Sequence, residues 1–385
     1  MASIQERTGG KWQAKIRRQG WPGQSKTFKR KQDAEAWARA VEREMDVGSF
    51  IQRNDAERTT FASAAERYAK EALPKLRSEV QGRYLLARLV KRFGGFSLAS
   101  ITPSMLSAFR DERLNAVSSQ TVKHELGMIS RVFKACSMDW GIALPNGIPT
   151  ALVRKPRGNN ARDRRLEGIE EQLLLEALAT CSHPWPLAAV VLAIETAARQ
   201  SELLSLKWEQ IDLKRRVALL KGKDGGVTKN GDVHRPVPLS PAALACLQGL
   251  PRALRGYVLP TSANALQIAF ERSVKRARLK HVHTQLKKAL LADGLTTTEV
   301  AGQIRAIVYK KKKPLPSTLL HLERIEETDR TMLNLRFHDL RHEATSRLAE
   351  KLQMHELMKV TGHKSAGMLA TYYHPRAEDL ALKLG

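Results

Sequence analysis

Apolar and polar positions first alternate and then recur at helical spacing along this chain. In KWQAKIRRQG, Trp12, Ala14 and Ile16 alternate with Lys11, Gln13, Lys15 and Arg17, which predicts a strand with one apolar and one basic face. GWPG supplies a turn, QSKTFKRK a further short strand, and DAEAWARAVEREM a helix with Ala34, Trp37, Val41 and Met45 on one side. Residues 1–55 are therefore expected to form a small β-sheet backed by a helix. The cationic face formed by Lys11, Gln13, Lys15 and Arg17 is then free, in a shape that strands use to enter a DNA groove. From residue 59 to 152 the pattern becomes helical. Thr59 or Thr60 caps a helix running through Tyr68, and Thr102 followed by Pro103 is an N-cap with proline at the first helical position. Val122, Leu126, Ile129, Phe133 and Cys136 form a core stripe, with Lys123, Arg131 and Lys134 off it, either solvated or lining a phosphate-facing groove.

PNGIPTALVRKPRGNNARDRR has no period and is rich in Pro, Gly, Asn and Arg, so residues 153–165 are expected to be a flexible basic linker. Residues 166–385 are mixed. An apolar helix, PLAAVVLAIETAA, precedes strand-like RRVALL and HRPVPL, which are joined by turn-rich KGKDGGVTKNGDV, and helices start at Ser240-Pro241 and near Ser262. The fold class is thus multidomain and mostly α with small β-sheets: a sheet-plus-helix module, a helical domain and a mixed α+β domain.

Composition adds a partner. The 385 residues carry 65 Lys+Arg against 39 Asp+Glu, a formal charge of +26 with an ordinary 42% apolar content. An excess of this size fits a polyanion, because every phosphate neutralised releases condensed counterions. No segment has the apolar length to span a bilayer, and MASIQERTGGKWQ lacks the apolar core and cleavage site of a signal peptide, so a cytoplasmic protein without membrane partners is expected. Cys136, Cys181 and Cys246 are widely spaced, as fits reduced thiols rather than a CxxC-type metal site.

Four short stretches hold polar residues that local structure does not explain. ETAARQSELL sets Arg199 directly after an apolar helix, where a guanidinium needs an anion such as Glu202 or a phosphate. Lys229 lies in the TKNG turn between two strands. In FHDLRHEATSRLAEK, His338 and Arg341 are three apart on one helical face. His338 and His342 also have the spacing of a helical zinc pair, but Asp339 replaces the glutamate of that motif, and Arg341 would set a fixed cation beside the metal. GHKSAGMLATYYHP follows a helix that Gly362 can terminate and carries His363, Tyr372 and Tyr373. Together these describe an anion site with a phenol nucleophile. Only about one phenol in a thousand is ionised at neutral pH, so it requires neighbouring cations, which would also stabilise charge on a phosphodiester. No acidic cluster is present to bind Mg2+, and no cofactor or metal is called for.

TAARQSELLSLKWEQIDL, TKNGDVHRPVPLS, LRFHDLRHEATSRL and TGHKSAGMLATYYHP, in that order, resemble the four boxes of the tyrosine recombinase (phage integrase) family. The first two domains are similar, less specifically, to the arm-binding module of three strands and a helix and to the helical core-binding domain of many integrases. The resemblance implies a clamp on the scissile phosphate from Arg199 and Arg341, proton exchange with the nucleophile by His338, a general acid in Lys229 and support of the phosphate by His363. It also separates the tyrosines: the family's nucleophile lies nine residues after the GH histidine, which is Tyr372, leaving Tyr373 as a neighbour. The implied reaction forms a 3′-phosphotyrosyl link and exchanges strands through a Holliday junction in a tetramer. Double-stranded attachment-site DNA would be the partner, with DNA-bending and directionality proteins as accessories. The departure from the family is residues 280–334, an insertion between the helix ending near VKRARL and the HxxR box, expected to be helical at HTQLKKALLADGL, after a Thr296/Glu299 capping box, and at STLLHLERIEE. Alternatives are a non-cleaving DNA-binding regulator, a type IB topoisomerase-like enzyme and a zinc hydrolase built on His338 and His342.

Overall fold

The computed structural model of the chain describes residues 2–48, 54–76, 78–144, 146–158, 162–222, 233–252, 256–309, 312–370 and 372. Among the described residues it is mostly helical, with two antiparallel three-stranded sheets. The chain divides into two compact units, residues 1–161 and 162–385. Lys229, Tyr373, Lys310 and Lys311 lie outside the described residues.

The first unit opens with strands β1 (Ala2–Arg7), β2 (Lys11–Ile16) and β3 (Gln24–Phe28), followed by helix α1 (Lys31–Asp46). The alternation in β2 turns Trp12, Ala14 and Ile16 toward Ala34, Ala38, Val41 and Met45 of α1. The opposite face carries Lys11, Gln13 and Lys15, paired across the sheet with Arg7, Gln5 and Ser3. β1 alternates over its first four residues, with Ala2 and Ile4 against the small core and Ser3 and Gln5 exposed.

Helices α2 (Asn54–Arg58), α3 (Phe61–Glu71), α4 (Glu79–Phe93), α5 (Pro103–Leu114) and α6 (Ser119–Lys134) follow. The N-caps are Thr60, whose side chain accepts from the Ser63 N–H, and Thr102, which accepts from Met105. All five residues of the α6 stripe are buried, in a core where Phe61 meets Phe93 and Phe133, and Phe93 meets Phe109. Glu125 is also fully buried on α6, where Arg88 and Arg113 neutralise it.

In the second unit, α7 (Glu170–Ala179), α8 (Trp185–Thr196) and α9 (Gln200–Ser205) lead to strands β4 (Ile211–Asp212), β5 (Val217–Leu220) and β6 (Arg235–Pro238). Then come α10 (Pro241–Gln248), α11 (Ala263–Ala292), α12 (Thr297–Tyr309), α13 (Pro316–Thr328), α14 (Asp339–Ala349), α15 (Met354–Thr361) and α16 (Ala366–Leu369). Helix α8, apolar up to Glu195 and Thr196 at its C-terminal end, is central, as a helix hydrophobic on nearly every side must be.

Two expectations change here. The helix expected to end near VKRARL runs unbroken for 30 residues, so HTQLKKALLA belongs to its second half and not to a separate helix. Its first half gives Leu266, Phe270 and Ala277 to the main core, while Leu286 and Leu290 join Val300 in a second, small core with Ile304 and Ile325. Asp329, after α13, accepts from Arg278 and bonds His281, both on α11, which closes the insertion back onto its own root. The expected linker is also partly fixed: Arg162, Arg164 and Arg165 form ion pairs with Asp339, Glu170 and Glu343 of the second unit.

Candidate active site

Helix α8 ends because Ala197 takes a left-handed conformation, φ 51°, which turns the chain so that Arg199 becomes the N-cap of α9. The Arg199 N–H and guanidinium each donate to the Glu202 carboxylate at 2.9 Å. Glu202 is only 1% exposed and also accepts from Arg235 at 2.5 Å. Burial works against its charge, but Arg235 and Arg199 outweigh it and hold the carboxyl below its ordinary range. Arg235 in turn donates to the Val360 carbonyl, which ties β6 to α15.

Arg341, 5% exposed on α14, donates to two backbone carbonyls, Ala197 O and Thr361 O. These are the carbonyls left over where α8 and α15 end, so the helix ends satisfy their orphan acceptors and orient the guanidinium in one step. Gly362 closes α15 at φ 71°, its N–H bonded to Met358 O, which directs His363 back toward the site. The Thr361 hydroxyl donates to Leu357 O and therefore accepts from His363 Nδ1 at 2.7 Å, leaving Nε2 as the outward nitrogen. Burial first, then the charges of Arg341, Arg199 and Arg235, push the His363 imidazole down to about 4.

His338 is the N-cap of α14 and lines a cleft of about 340 Å3 with Ala198, Gln200, Arg336 and Arg341. The Tyr372 hydroxyl hydrogen-bonds His342 Nδ1. Its ring also lies 6.5 Å, between centroids, from His363. Burial raises the phenol's pKa while Arg341 opposes that rise. Burial likewise lowers His338 and His342, so all three imidazoles are biased toward the neutral form beside the guanidinium groups.

Arg199, His338, Arg341, His363 and Tyr372 thus come together, with the Arg341 charge felt by each of the other four. Lys229 lies outside the described residues. The zinc alternative needs a third ligand. Among the described residues no three His, Cys, Asp or Glu side chains are grouped so as to hold a metal ion. Two contributors escape a reading of the sequence alone. Arg235 shares the inward register of its strand with Val237 and Leu239, and a charge in an apolar register is a signal for a buried ion pair. His342 stands out in the sequence only as a metal ligand, through its spacing from His338.

The flank of α14 next to the pocket residues is also ionic. Asp339, 1% exposed, accepts from Arg162 at 2.6 and 2.7 Å and from the Arg336 N–H at 2.7 Å. Glu343 accepts from Arg165 at 3.1 Å and Arg347 at 2.7 Å. Of the candidate DNA-binding residues, Lys11 and Arg17 are exposed and Gln13 and Lys15 half-buried on or beside β2. Lys123 is half-buried and Arg131 and Lys134 exposed along one side of α6. No helix among the described residues is long and apolar enough to cross a membrane.

Residues 164–379 match the profile of the phage integrase family. The chain is 30% identical over 337 residues to a shufflon-specific DNA recombinase of Escherichia coli, covering 84% of this chain and 71% of that protein. In fold it is similar to a Tn1549 transposon integrase bound to circular intermediate DNA, with TM-score 0.57, 17% identity and coverage of 85% of this chain and 99% of the other. It is also similar to lambda integrase solved as a tetramer on a Holliday junction, with TM-score 0.57, 17% identity and coverage of 94% and 96%.

Proposed function

The chain belongs to the phage integrase family, and from that premise we propose that it is a site-specific tyrosine recombinase. It cuts and rejoins double-stranded attachment-site DNA through a 3′-phosphotyrosyl link to Tyr372, integrating or excising a mobile element such as a prophage or genomic island. The observation that supports this best is the clustering of two positioned arginines, two histidines and one phenol around Arg341. Arg199 and Arg341 bind the non-bridging oxygens of the scissile phosphate. Fixed donors of this kind cost no reorganisation when charge develops in the transition state. His338 and His363 lie beside them, and a bound phosphate would favour their protonated, donating forms. Lys229 is assigned the protonation of the departing 5′ oxygen. Because the phosphotyrosyl link keeps the energy of the phosphodiester, a 5′-hydroxyl from another strand reverses the step without ATP.

The face of the N-terminal sheet with Ser3, Gln5, Arg7, Lys11, Gln13, Lys15, Ser25 and Thr27 carries donors and cations and no carboxylate, and it is assigned to arm-type DNA. Lys123, Arg131 and Lys134 on α6 are assigned to the DNA backbone at the core site. A tetramer on DNA, acting with DNA-bending and directionality proteins, completes the proposal.

The test uses a nicked suicide substrate carrying the junctions of the encoding element, without metal. Wild type and Tyr373→Phe should form a covalent adduct, and Tyr372→Phe should not. An adduct that survives in Tyr372→Phe and is lost in Tyr373→Phe would reassign the nucleophile. No adduct with wild type would favour a regulator that binds DNA without cutting it.

A further inference from the structure

Tyr372 does not turn its hydroxyl to the histidine of the HxxR box. Its hydrogen-bond partner among the described residues is His342, one helical turn further along α14. The two rings are tilted 30° to one another with centroids 5.5 Å apart. His338 instead meets His342 edge-on, at 89° and 5.4 Å, and opens into the cleft beside Arg341. The two histidines therefore have different neighbours: His338 the place where a phosphate oxygen would sit, and His342 the phenol.

We propose that His342 is the base that takes the phenolic proton of Tyr372 during attack on phosphorus and returns it on religation. The proposal rests on the recombinase reading above. As the Tyr372 Oη–P bond forms and the P–O5′ bond breaks, the phenolic proton passes to His342 Nδ1, and the 5′ oxygen takes a proton from Lys229. His342 keeps the extra proton and Lys229 stays one proton short until religation, when the attacking 5′-hydroxyl gives its proton back to Lys229 and His342 returns the phenolic proton to Tyr372. Acceptance at Nδ1 requires that the resting imidazole carry its proton on Nε2.

The surroundings fit a base that works only with DNA in place. His342 shares α14 with His338, Asp339 and Arg341, faces Arg162 and Asp163 from the segment before α7, and meets Tyr372. Burial leads in disfavouring the imidazolium. Arg341 and Arg162 add to it, while Asp339 and Asp163 oppose it. A phosphate bound in the cleft adds negative charge close to the imidazolium and makes the transfer easier. Without a phosphate the phenol stays protonated and a poor nucleophile.

Single-turnover adduct formation on the suicide substrate tests this, with Tyr372 as the natural residue or as a difluorotyrosine of lower phenol pKa. His342→Ala should slow adduct formation about 100-fold near neutral pH, within the range of general base catalysis, with DNA binding retained. The deficit should shrink as pH rises and shrink again with the fluorinated phenol, since an easily ionised phenol needs less help. His338→Ala should show a deficit that fluorination leaves unchanged. If His342→Ala does not fold, His342→Gln, whose amide can still bond the phenol but cannot take a proton, gives the same comparison. An unchanged rate, or a deficit equal at every pH and with both phenols, overturns the proposal while the recombinase reading stands. Absence of any wild-type adduct overturns both.

Discussion

A guanidinium held by two backbone carbonyls cannot follow a badly placed phosphate, so the position of Arg341 is set by where α8 and α15 end. Lysine, a point charge on a flexible stem, cannot span both carbonyls. Arg341→Lys should therefore lower the rate of adduct formation by about 100- to 1,000-fold with DNA affinity changed only a few-fold, as read by single-turnover cleavage and gel shift. The histidines make a second residue-scale prediction. His363 titrates near 4 in the fold and near about 6.5 when unfolded, so between these values the unfolded chain binds more protons. Its contribution to stability is full above about 6.5 and is lost as pH falls toward 4. His338 and His342 are shifted the same way. The thermal midpoint of the DNA-free protein should fall across this window, and less steeply in His363→Asn. At this scale Arg199, His338, Arg341, His363 and Tyr372 were legible because their residue types stand out in short strings that resemble a family. Arg235 and the partner of the phenol were not, since those depend on which distant strands and helices the chain brings together.

Among the elements, helix ends were the most legible, because caps are local chemistry. Thr60, Thr102, Ser240 and Ser262 each accept from the N–H three residues on, and Gly362 occupies the left-handed cap its sequence suggested. Gly362→Ala should cost about 1 kcal/mol in chemical denaturation and slow cleavage, because His363 follows it directly. The length of α11 was not legible. Its apolar stripe continues past Leu279 while the partner it packs on changes, and periodicity carries no information about partners. Deleting residues 280–334 would sever this helix and remove Met332 from the main core. Removing residues 293–328 instead takes away α12 and α13 and spares every site residue. That variant should still form the adduct at a rate within a few-fold of wild type, and it should lose some stability because Leu286 and Leu290 lose Val300. A loss of cleavage comparable to Tyr372→Phe would show that the insertion contributes to the site itself.

For the whole molecule, the formal charge of +26 makes DNA affinity steeply dependent on salt. Removing a side chain that neutralises one phosphate should lower the slope of log K against log salt by about one. Lys11→Ala and Lys15→Ala should each do so on arm-type DNA and leave binding of core-site DNA unchanged. An unchanged slope on arm-type DNA would remove the sheet face from the interface. The charge was legible as a number, but its placement required the sheet, which turns one side of β2 into α1 and leaves the cations on the other.

Helix α14 carries His338, Arg341 and His342 toward the pocket, buries Leu340 and Ala344, and commits Asp339 and Glu343 to the arginines that precede α7. Hardly a position in its first two turns is left neutral. Drift among relatives should therefore be slowest there, and where Asp339 or Glu343 does change, Arg162 or Arg165 should change with it. Anyone retargeting this protein to a new DNA sequence would, on the proposed contacts, place libraries on the β2 face and the exposed side of α6 and carry α14 over intact.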